Sequence, residues 1–237
     1  MSSPWFHAPQ LPFAGMILAL DRDEAKHAVG VRRLSAGDAV TIFDGMGGIA
    51  HAVLTGDRNS DGGVLVRVDR VERISRTGTD LLVGVAPPKG DRFSTMLDML
   101  GQLGVTGIVP LDTDHGVIDA SAINRTRADR ILLEACKQSR SAWLPSIAPA
   151  MTVANFVRLA ASSGRTVLIA DQGGVSTATC TAERVAIAIG PEGGFSAAEL
   201  EAACTAGAVR VDLGPAILRV EAAAVSMAAA FRARPAG

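Results

Sequence analysis

Residues 189–200 read Ile-Gly-Pro-Glu-Gly-Gly-Phe-Ser-Ala-Ala-Glu-Leu and mark the passage from a β-strand into a helix. Ser196 and Glu199 have the spacing of a capping box, so a helix should begin at this point. The glycines of the loop allow backbone conformations and close ligand approach that a side chain would forbid. The segment predicts either a ligand-binding loop at the carboxyl end of a strand or a strand-to-helix turn without a ligand.

Two further loops follow predicted strands in the same way. Asp171-Gln-Gly-Gly174 comes after a strand at residues 166–170, and Leu213-Gly-Pro215 comes after a strand at residues 208–212. If the three strands are neighbours, the three loops meet at one edge of the sheet, where open α/β sheets bind their ligands. Arg219 and Glu221 follow the third loop, where they could supply charge to the site or pair with each other.

The second part of the chain alternates between strand-length apolar runs and helix-length segments. This alternation predicts a mostly parallel sheet with helices on both faces. The predicted strands are residues 81–86, 107–111, 166–170, 185–189 and 208–212, and the predicted helices are residues 92–103, 125–140, 152–161, 196–206 and 221–232.

The first part of the chain is short-stranded and β-like. Apolar runs at residues 40–43, 49–54 and 64–74 are separated by a glycine-rich turn and a polar break. A polar stretch at residues 75–80 then marks a boundary. We therefore expect a small barrel or sheet over residues 1–76 and an α/β domain over residues 80–237.

The composition is that of a globular protein. Of 237 residues, 48% are hydrophobic and 20% are charged, and the formal net charge of -1 gives no overall basic field that would indicate a nucleic-acid partner. Three cysteines without CxxC spacing argue against a disulfide framework or a zinc cluster and favour a cytoplasmic setting. The apolar stretch near the N-terminus lacks a preceding basic segment, and no apolar run reaches the roughly 18 residues that cross a bilayer, so we expect a soluble, unexported protein.

Motifs for several other chemistries are missing or misplaced. Residues 45–50 match a GxGxxA dinucleotide fingerprint, but a strand-like segment follows where a helix is needed, so a hairpin turn is the better interpretation. The sequence has no GxxxxGK[ST] phosphate loop, no HExxH and no GxSxG motif. Its four histidines lack the spacing of metal ligands, and we predict no metal site.

Basic residues cluster in two places, between residues 67 and 76 and between residues 125 and 140. Acidic residues are interleaved with them, which favours solvated surfaces over RNA contacts when the clusters are taken alone. A weak RNA contact is the alternative, and any base stacking would depend on a few aromatic residues such as Trp5, Phe6 or Trp143.

Ordered motifs along the chain resemble those of the ribosomal RNA small subunit methyltransferase E family, within the SPOUT superfamily. The two C-terminal motifs correspond to residues 189–199 and to Leu213-Gly-Pro-Ala-Ile-Leu-Arg-Val-Glu221. Residues 27–45 resemble the family's PUA-like N-terminal barrel. The motifs in the central part of the family's catalytic domain correspond to residues 89–92, 103–105 and 134–139.

The resemblance implies a trefoil-knotted α/β methyltransferase domain preceded by a small PUA-like β-barrel domain, an exception to the rule that chains avoid knots. It implies S-adenosyl-L-methionine as cofactor, a homodimer, and methylation of N3 of one uridine in 16S ribosomal RNA on the assembled small subunit. The residues expected to line the cofactor are Ile189, Gly190, Pro191, Glu192, Gly193, Leu213, Gly214 and Leu218. The residues expected to face RNA are Arg33, Lys89, Arg92, Gln138 and Arg140.

Transfer to N3 of uracil requires loss of the N3 proton, because the lone pair is a poor nucleophile while that proton remains. Alignment with the methyl group and a nearby cation would both favour the reaction. We expect Arg219 to be this cation, and Glu221 or Glu192 to accept the proton or to orient backbone groups.

The sequence departs from the family pattern at a few polar positions. Ala216 and Ala222 stand where an Arg and a Thr are usual, Ser141 stands where an Arg is frequent, and Asp98-Met99 replaces Gln-Lys. These departures motivate a second hypothesis, a ribosome-binding assembly factor that keeps the cofactor pocket but has weakened or lost transfer. A third, an enzyme acting on a small nucleotide, is disfavoured by the barrel-like N-terminal segment.

Overall fold

The computed structural model describes residues 3–176 and 180–234, which form two compact units. Unit 1 comprises Met1–Arg76 and Cys136–Leu144, and unit 2 comprises Thr77–Ala135 and Pro145–Gly237. The predicted limits, residues 1–76 and 80–237, leave residues 136–144 in the second domain. Residues 136–144 pack on a part of the chain that is distant in sequence, and such packing has no signature in the local sequence pattern. Their membership of unit 1 is therefore seen only in the structure.

Unit 1 is built on a five-stranded sheet. Its strands are β1 (Trp5–His7), β2 (Ile17–Leu20), β3 (Ala39–Phe43), β4 (Gly48–Arg58) and β5 (Val64–Arg73), in the order β1-β3-β4-β5-β2. The β1–β3 pair is parallel and the other pairs are antiparallel. Alternate residues of the long strands are buried, among them Ala50, Ala52 and Leu54 of β4, and they form the core of this unit.

The GxGxxA match at residues 45–50 lies in the turn between β3 and β4 and at the start of β4. The Asp44 carboxylate accepts hydrogen bonds from the backbone N–H groups of Met46 at 2.7 Å and Gly48 at 2.8 Å, and β4 follows directly. No helix N-terminus is present there to hold a phosphate, so the predicted hairpin is confirmed.

Helical segments and residues 136–144 complete unit 1. The four-residue helix α1 (Arg22–Ala25) continues into a π-helix at Lys26–Val31. Lys137 reaches Glu24 of α1 at 3.0 Å, and both side chains are buried. The Arg76 guanidinium lies 4.8 Å from the centre of the Trp143 ring, a cation–π contact.

Unit 2 contains a parallel sheet of seven strands. They are β6 (Asp80–Val85), β7 (Gly107–Asp112), β8 (Ser146–Ile147), β9 (Met151–Thr152), β10 (Thr166–Ser176), β11 (Arg184–Ile189) and β12 (Val209–Asp212). The order is β12-β10-β11-β6-β7-β8, with β9 also paired to β7. The strands before the three glycine-bearing loops are therefore neighbours, and the prediction of a parallel sheet is confirmed.

Helices cover both faces of this sheet. They are α2 (Asp91–Gln102), α3 (Arg125–Ser139), α4 (Val153–Ser162), α5 (Ala197–Thr205) and α6 (Val220–Arg232), with a short 3-10 helix at Ala120–Ala122. A side chain at Gly84 of β6 would strike Phe156 of α4, so this face lies under α4, which also contacts α5. The alternate residues of β6 are equally buried and face the layer of α2 and α6.

The prediction of a loop at residues 171–174 is wrong, because these residues belong to β10, which runs on to Ser176. The pairing of β10 with β12 shifts register between Ala170 and Val175, so the strand bulges where a loop was expected. Among the described residues, no helix combines the length and the apolar character that a membrane span requires.

Candidate functional site: a cavity at the carboxyl edge of the parallel sheet

A cavity of about 380 Å³ lies at the carboxyl ends of β11 and β12 and beside the bulge of β10. Its apolar walls include Ile189, Val211, Val220 and Ala223, and backbone of the glycine-bearing loops forms much of the remaining lining. Apolar walls with a few fixed polar groups are typical of small-molecule sites, and this edge is where open α/β sheets bind ligands.

The loop after β11 has a fixed conformation. Its turn is closed by a 2.9 Å hydrogen bond from the N–H of Gly194 to the carbonyl of Pro191, and Gly194 has a φ of 73°. The predicted capping box is present: the Ser196 hydroxyl accepts from the N–H of Glu199 at 3.2 Å, and the Glu199 carboxylate accepts from the N–H of Ser196 at 2.8 Å. The start of α5 therefore fixes one wall of the cavity.

The loop after β7 forms hydrogen bonds to the start of α5 and to the loop after β11. Ser196 donates its hydroxyl hydrogen to Asp114 at 2.6 Å, and the Glu199 carboxylate accepts from the N–H of Asp114 at 3.1 Å. The His115 ring nitrogen Nδ1 lies 3.1 Å from the carbonyl oxygen of Gly194. Sequence reasoning gave this loop no role, because the contact joins residues about 80 positions apart.

Asp212 joins the bulge of β10 to the loop after β12. Its carboxylate accepts hydrogen bonds from the N–H groups of Gly173 at 2.9 Å and Gly214 at 2.8 Å, and these bonds hold the pKa of Asp212 below its usual range. Asp212 also lines the cavity. An aspartate two residues before a glycine is a turn signal, so the second contact was accessible to sequence reasoning, but the first required the bulge in β10.

The loop from Leu213 to Arg219 forms the mouth of the cavity. Ala216, Ile217 and Leu218 line it while remaining exposed, Ile217 to 86%. Arg219 is the N-cap residue of α6 and is exposed, and its neighbours in sequence, Leu218 and Val220, both line the cavity. The alternative pairing of Arg219 with Glu221 is not found within the described residues.

Arg92, at the start of α2, pairs with two carboxylates instead. Its Nη1 lies 2.9 Å from Oε1 of Glu192 and 3.8 Å from Oε2 of Glu221. Glu192 is on the cavity-lining loop, whereas Glu221 is in the first turn of α6. Oε2 of Glu221 is buried and has no hydrogen-bond partner among the described residues.

The cavity has a negative lining. Three carboxylates contribute to it, those of Asp171, Glu192 and Asp212, and no Lys, Arg or His is found among its described lining residues. Asp171 forms an ion pair with Arg210 on β12. Glu192 is likewise paired with Arg92, so Asp212 is the carboxylate of the described lining that lacks a cationic partner and could face a positively charged ligand.

The structure brings together the whole set of residues expected to line the cofactor. All eight, from Ile189 to Gly193 with Leu213, Gly214 and Leu218, line this one cavity. Of the three residues expected to act chemically, Glu192 lines the cavity, Arg219 flanks its mouth, and Glu221 is outside the lining and lies near Arg92. Sequence reasoning missed Asp212 and Phe195, which also line the cavity.

The residues expected to face RNA are divided between the two units. Arg33, Gln138 and Arg140 are exposed in unit 1, and Lys89 and Arg92 belong to unit 2. Arg33 and Arg140, with φ values of 56° and 59°, are the only non-glycine residues of the described chain in the left-handed region. Such backbone is unfavourable for a residue with a side chain and concentrates at functional positions.

The two basic clusters are largely paired within the protein. In unit 1, Arg67 pairs with Asp69 at 2.6 Å, Arg70 with Glu72 at 3.6 Å and Arg73 with Asp44 at 3.4 Å. In the second cluster Lys137 is buried against Glu24. These pairings favour the interpretation of the clusters as structural surfaces rather than dedicated RNA contacts.

Comparison with known families places both units. The family described as RNA methyltransferase domain matches residues 75–232, and the family described as RNA methyltransferase PUA domain matches residues 20–61. A curated relative from Mycobacterium tuberculosis, Ribosomal RNA small subunit methyltransferase E, is 30% identical over 236 residues, covering 94% of this chain and 89% of its own. A relative of the same name from Synechocystis is 30% identical over 177 residues, or 72% of this chain and 57% of its own.

Solved structures with the same architecture include two with bound cofactor. Ribosomal RNA small subunit methyltransferase E from Neisseria gonorrhoeae, bound to S-adenosyl methionine, superimposes with a TM-score of 0.88 at 25% identity, covering 98% of this chain and 97% of its own. A methyltransferase from Legionella pneumophila in complex with the same cofactor gives a TM-score of 0.88 at 25% identity, covering 98% of each chain. The fold class expected from the sequence, a PUA-like domain before a SPOUT-type α/β domain, is confirmed.

Proposed function

Since this chain belongs to the ribosomal RNA small subunit methyltransferase E family, we propose that it transfers the methyl group of S-adenosyl-L-methionine to N3 of one uridine in 16S ribosomal RNA. The relatives' name supports small-subunit ribosomal RNA as the substrate class. The N3 position, the assembled small subunit as the form of the substrate, the homodimer, the trefoil knot and the cytoplasmic location rest on the resemblance of the sequence motifs.

The observation that carries the proposal is the gathering of all eight expected cofactor residues around one cavity. These residues come from two segments, 189–193 and 213–218, and they meet because β10, β11 and β12 are adjacent parallel strands. A strand-to-helix turn without a ligand, the alternative for residues 189–200, would not require the second segment to converge on it.

The chemistry of the cavity suits S-adenosyl-L-methionine. Its volume falls within the roughly 300 to 1,000 Å³ of small-molecule sites. A side chain at Gly190 would press against Phe195 at 3.1 Å, so glycine keeps that corner open. When bound, this cofactor supplies a methyl group on a positively charged sulfur, and the carboxylate of Asp212 matches that charge, whereas those of Asp171 and Glu192 are paired with Arg210 and Arg92.

We assign the action on the target base to Arg219. This residue is exposed and lies in sequence between two residues that line the cavity, and its guanidinium would stabilise the negative charge that develops when uracil loses its N3 proton. The base must be unpaired or extruded from its helix to reach this position. Arg33 and Arg140 of unit 1 would hold the RNA backbone, and their left-handed backbone supports a functional role.

Methyl transfer from labelled S-adenosyl-L-methionine to small ribosomal subunits from a strain that lacks this methylation tests the proposal directly. Incorporation should occur at N3 of a single uridine, located by mapping the modified nucleotide, with naked 16S RNA and large subunits as controls. Incorporation at another atom or only into large subunits would refute the assignment.

The residue at position 216 supports a second candidate function, that of a ribosome-binding assembly factor that retains the pocket. Ala216 lines the cavity mouth where the family usually carries an arginine, so one cation is missing there. On this alternative the protein binds both the cofactor and small subunits, yet transfers no methyl group. If Ala216→Arg then restores transfer to a silent wild-type protein, the missing cation is the cause.

A further inference from the structure

A second cavity, of about 200 Å³, lies in unit 2 between the start of α2, the start of α3 and the loop after β6. Its walls are mostly apolar and include Phe93, Leu97 and Ile131. Asn124 and Arg127 also line it and are exposed, so the cavity is open to solvent. Its volume is below the roughly 300 to 1,000 Å³ of sites for drug-sized ligands, which suits a single flat ring system.

The two cavities begin at neighbouring strand ends. The N–H of Ala86, directly after β6, donates a 2.9 Å hydrogen bond to the carbonyl of Ile189, the last residue of β11. The next residue of each segment lines a cavity, Pro87 the second one and Gly190 the first. Both cavities therefore lie at the carboxyl edge of the sheet, and nucleotides next to a base bound at the first would lie near the second.

The charge of the second cavity is opposite to that of the first. Its described lining contains Arg127 and no Asp or Glu. Arg127 is 3.7 Å from Asp91, but the two side chains are 65% and 98% exposed, so this ion pair is weak. Lys89, between the lining residues Pro88 and Gly90, is exposed and forms no ion pair with a described residue. The rim therefore suits the phosphates of a nucleic acid.

Two polar side chains of the lining are available to the edge of a base. Oδ1 of Asn124 accepts a 2.9 Å hydrogen bond from the N–H of Arg127, which orients the amide and leaves its NH2 group as a donor. Within the described part of the chain, neither this NH2 group nor the Ser94 hydroxyl has a hydrogen-bond partner. Proteins bind unstacked RNA bases with an aromatic ring and hydrogen-bonding groups beside it, and Phe93 supplies the ring here.

Resting on the proposed function, we propose that the second cavity binds an unpaired base of 16S ribosomal RNA close to the target uridine. Phe93 contacts the face of this base, and Ser94 and Asn124 contact its edge. Lys89 and Arg127 bind the adjoining phosphates. The apolar wall favours a base over an isolated phosphate, and the basic rim favours RNA over the apolar side chain of a protein partner.

Ser94→Trp fills the second cavity and tests the proposal in the full chain. It should weaken the Kd for small subunits from a strain that lacks the methylation by about tenfold, because the contacts of one base are lost. The Kd for S-adenosyl-L-methionine should not change, since Ser94 is outside the lining of the first cavity. Thr95→Trp is the matched control, because it adds the same side chain to the next residue of α2, which is exposed and outside the lining.

Phe93→Leu is a second variant, which keeps an apolar side chain in the wall and removes only the ring. It should weaken subunit binding by about fivefold or more, and it carries the test should Ser94→Trp fail to fold. Melting temperature and the Kd for S-adenosyl-L-methionine show whether each variant is folded.

Chemical modification of the small-subunit RNA identifies the bound base. Dimethyl sulfate and a carbodiimide react with unpaired bases, and the wild type should protect one base close to the target uridine. This protection should disappear with Ser94→Trp and remain with Thr95→Trp.

Unchanged subunit affinity in Ser94→Trp and Phe93→Leu would overturn the proposal. So would weakened affinity with no change in base protection, which would indicate a ribosomal protein as the occupant. The proposed function is read separately, from methyl transfer by the wild type. A wild type that protects the base but transfers no methyl group would refute the transfer assignment and leave the second cavity as an RNA site.

Discussion

The carboxylate of Asp212 accepts a 2.9 Å hydrogen bond from the backbone N–H of Gly173, and this contact joins β12 to the bulge of β10 beside the cavity. Its other oxygen accepts from the N–H of Gly214 at 2.8 Å. One side chain thereby ties the loop after β12 to the β10 bulge. Both hydrogen bonds favour the charged carboxylate, in agreement with the lowered pKa of Asp212.

Asp212→Asn should weaken cofactor binding by roughly tenfold, because an amide has one acceptor oxygen and cannot accept from both N–H groups. Calorimetric titration with S-adenosyl-L-methionine measures the effect. Asp38→Asn is the matched control, since Asp38 accepts a 2.7 Å hydrogen bond from the N–H of Ser35 in a turn of unit 1. Equal affinity in the wild type and Asp212→Asn would show that the loops keep their positions without this contact.

Gly174→Ala should disrupt the β10 bulge. A Cβ atom at this position would lie 2.6 Å from backbone atoms of Arg210 and Val211, which cannot move without breaking the β10–β12 pairing. We expect the free energy of unfolding to fall by about 1 to 3 kcal/mol, with loss of cofactor binding. Gly30→Ala is the control, because a Cβ there has only Lys26 within 4 Å, at 3.9 Å. A Gly174→Ala variant as stable as the wild type would mean that the bulge adapts.

The sequence was informative where local rules determine structure. The capping box of Ser196 and Glu199 located the start of α5, and buried apolar runs located β6, β7 and β11. It was misleading at Gly173 and Gly174, because a bulge with paired backbone has the same composition as a loop. The resemblance implies that Arg92 faces RNA, but its pairing with Glu192 and Glu221 joins distant segments, a relationship that spacing does not encode.

Two substitutions of Arg33 should change the free energy of unfolding differently while changing the affinity for small subunits equally. Its φ of 56° suits glycine, so Arg33→Gly should be more stable than Arg33→Ala by about 1 kcal/mol, because only glycine relieves the left-handed strain. Both variants remove the same exposed side chain, so both should weaken binding to small subunits equally, by several-fold at moderate salt.

The two measurements are urea unfolding and a filter-binding titration at several salt concentrations. The salt dependence of binding should be shallower in both variants, since one phosphate contact is lost. Unchanged affinity in both variants would remove Arg33 from the RNA surface, whatever the stability difference.

Asp80 gives unit 2 a pH-dependent element of stability. Partial burial by itself raises the pKa of Asp80, but hydrogen bonds from Thr106, Arg165 and Arg184 and the charge of Arg165 outweigh it and lower the pKa below 3.8. Arg165 contacts both carboxylate oxygens, at 3.0 and 2.9 Å. A lowered folded-state pKa means that the stabilisation is present above the unfolded pKa and is lost as pH falls through the folded value.

Asp80→Asn should therefore reduce the free energy of unfolding by about 1 to 3 kcal/mol at pH 7, and the gap to the wild type should narrow as pH falls below about 4. Urea unfolding followed by circular dichroism across this pH range provides the measurement. Asp98→Asn, which changes a carboxylate of α2 that accepts a hydrogen bond from the Gln102 side chain and pairs with no arginine among the described residues, is the control. A gap that stays constant down to acidic pH would show that shape, not charge, accounts for the effect.

The buried pair of Glu24 and Lys137 ties residues 136–144 into unit 1. Their charged atoms are 3.0 Å apart, and their side chains are only 6% and 8% exposed. Lys137→Met alone should cost about 3 to 5 kcal/mol, because it leaves the Glu24 carboxylate buried without its cation. Glu24→Leu combined with Lys137→Met should recover most of this loss, since two apolar side chains of similar volume need no pairing. Both tryptophans, Trp5 and Trp143, belong to unit 1, so the change in their fluorescence during urea unfolding reports on this unit. If the double variant is as unstable as the single one, the pair contributes specific geometry that apolar packing cannot replace.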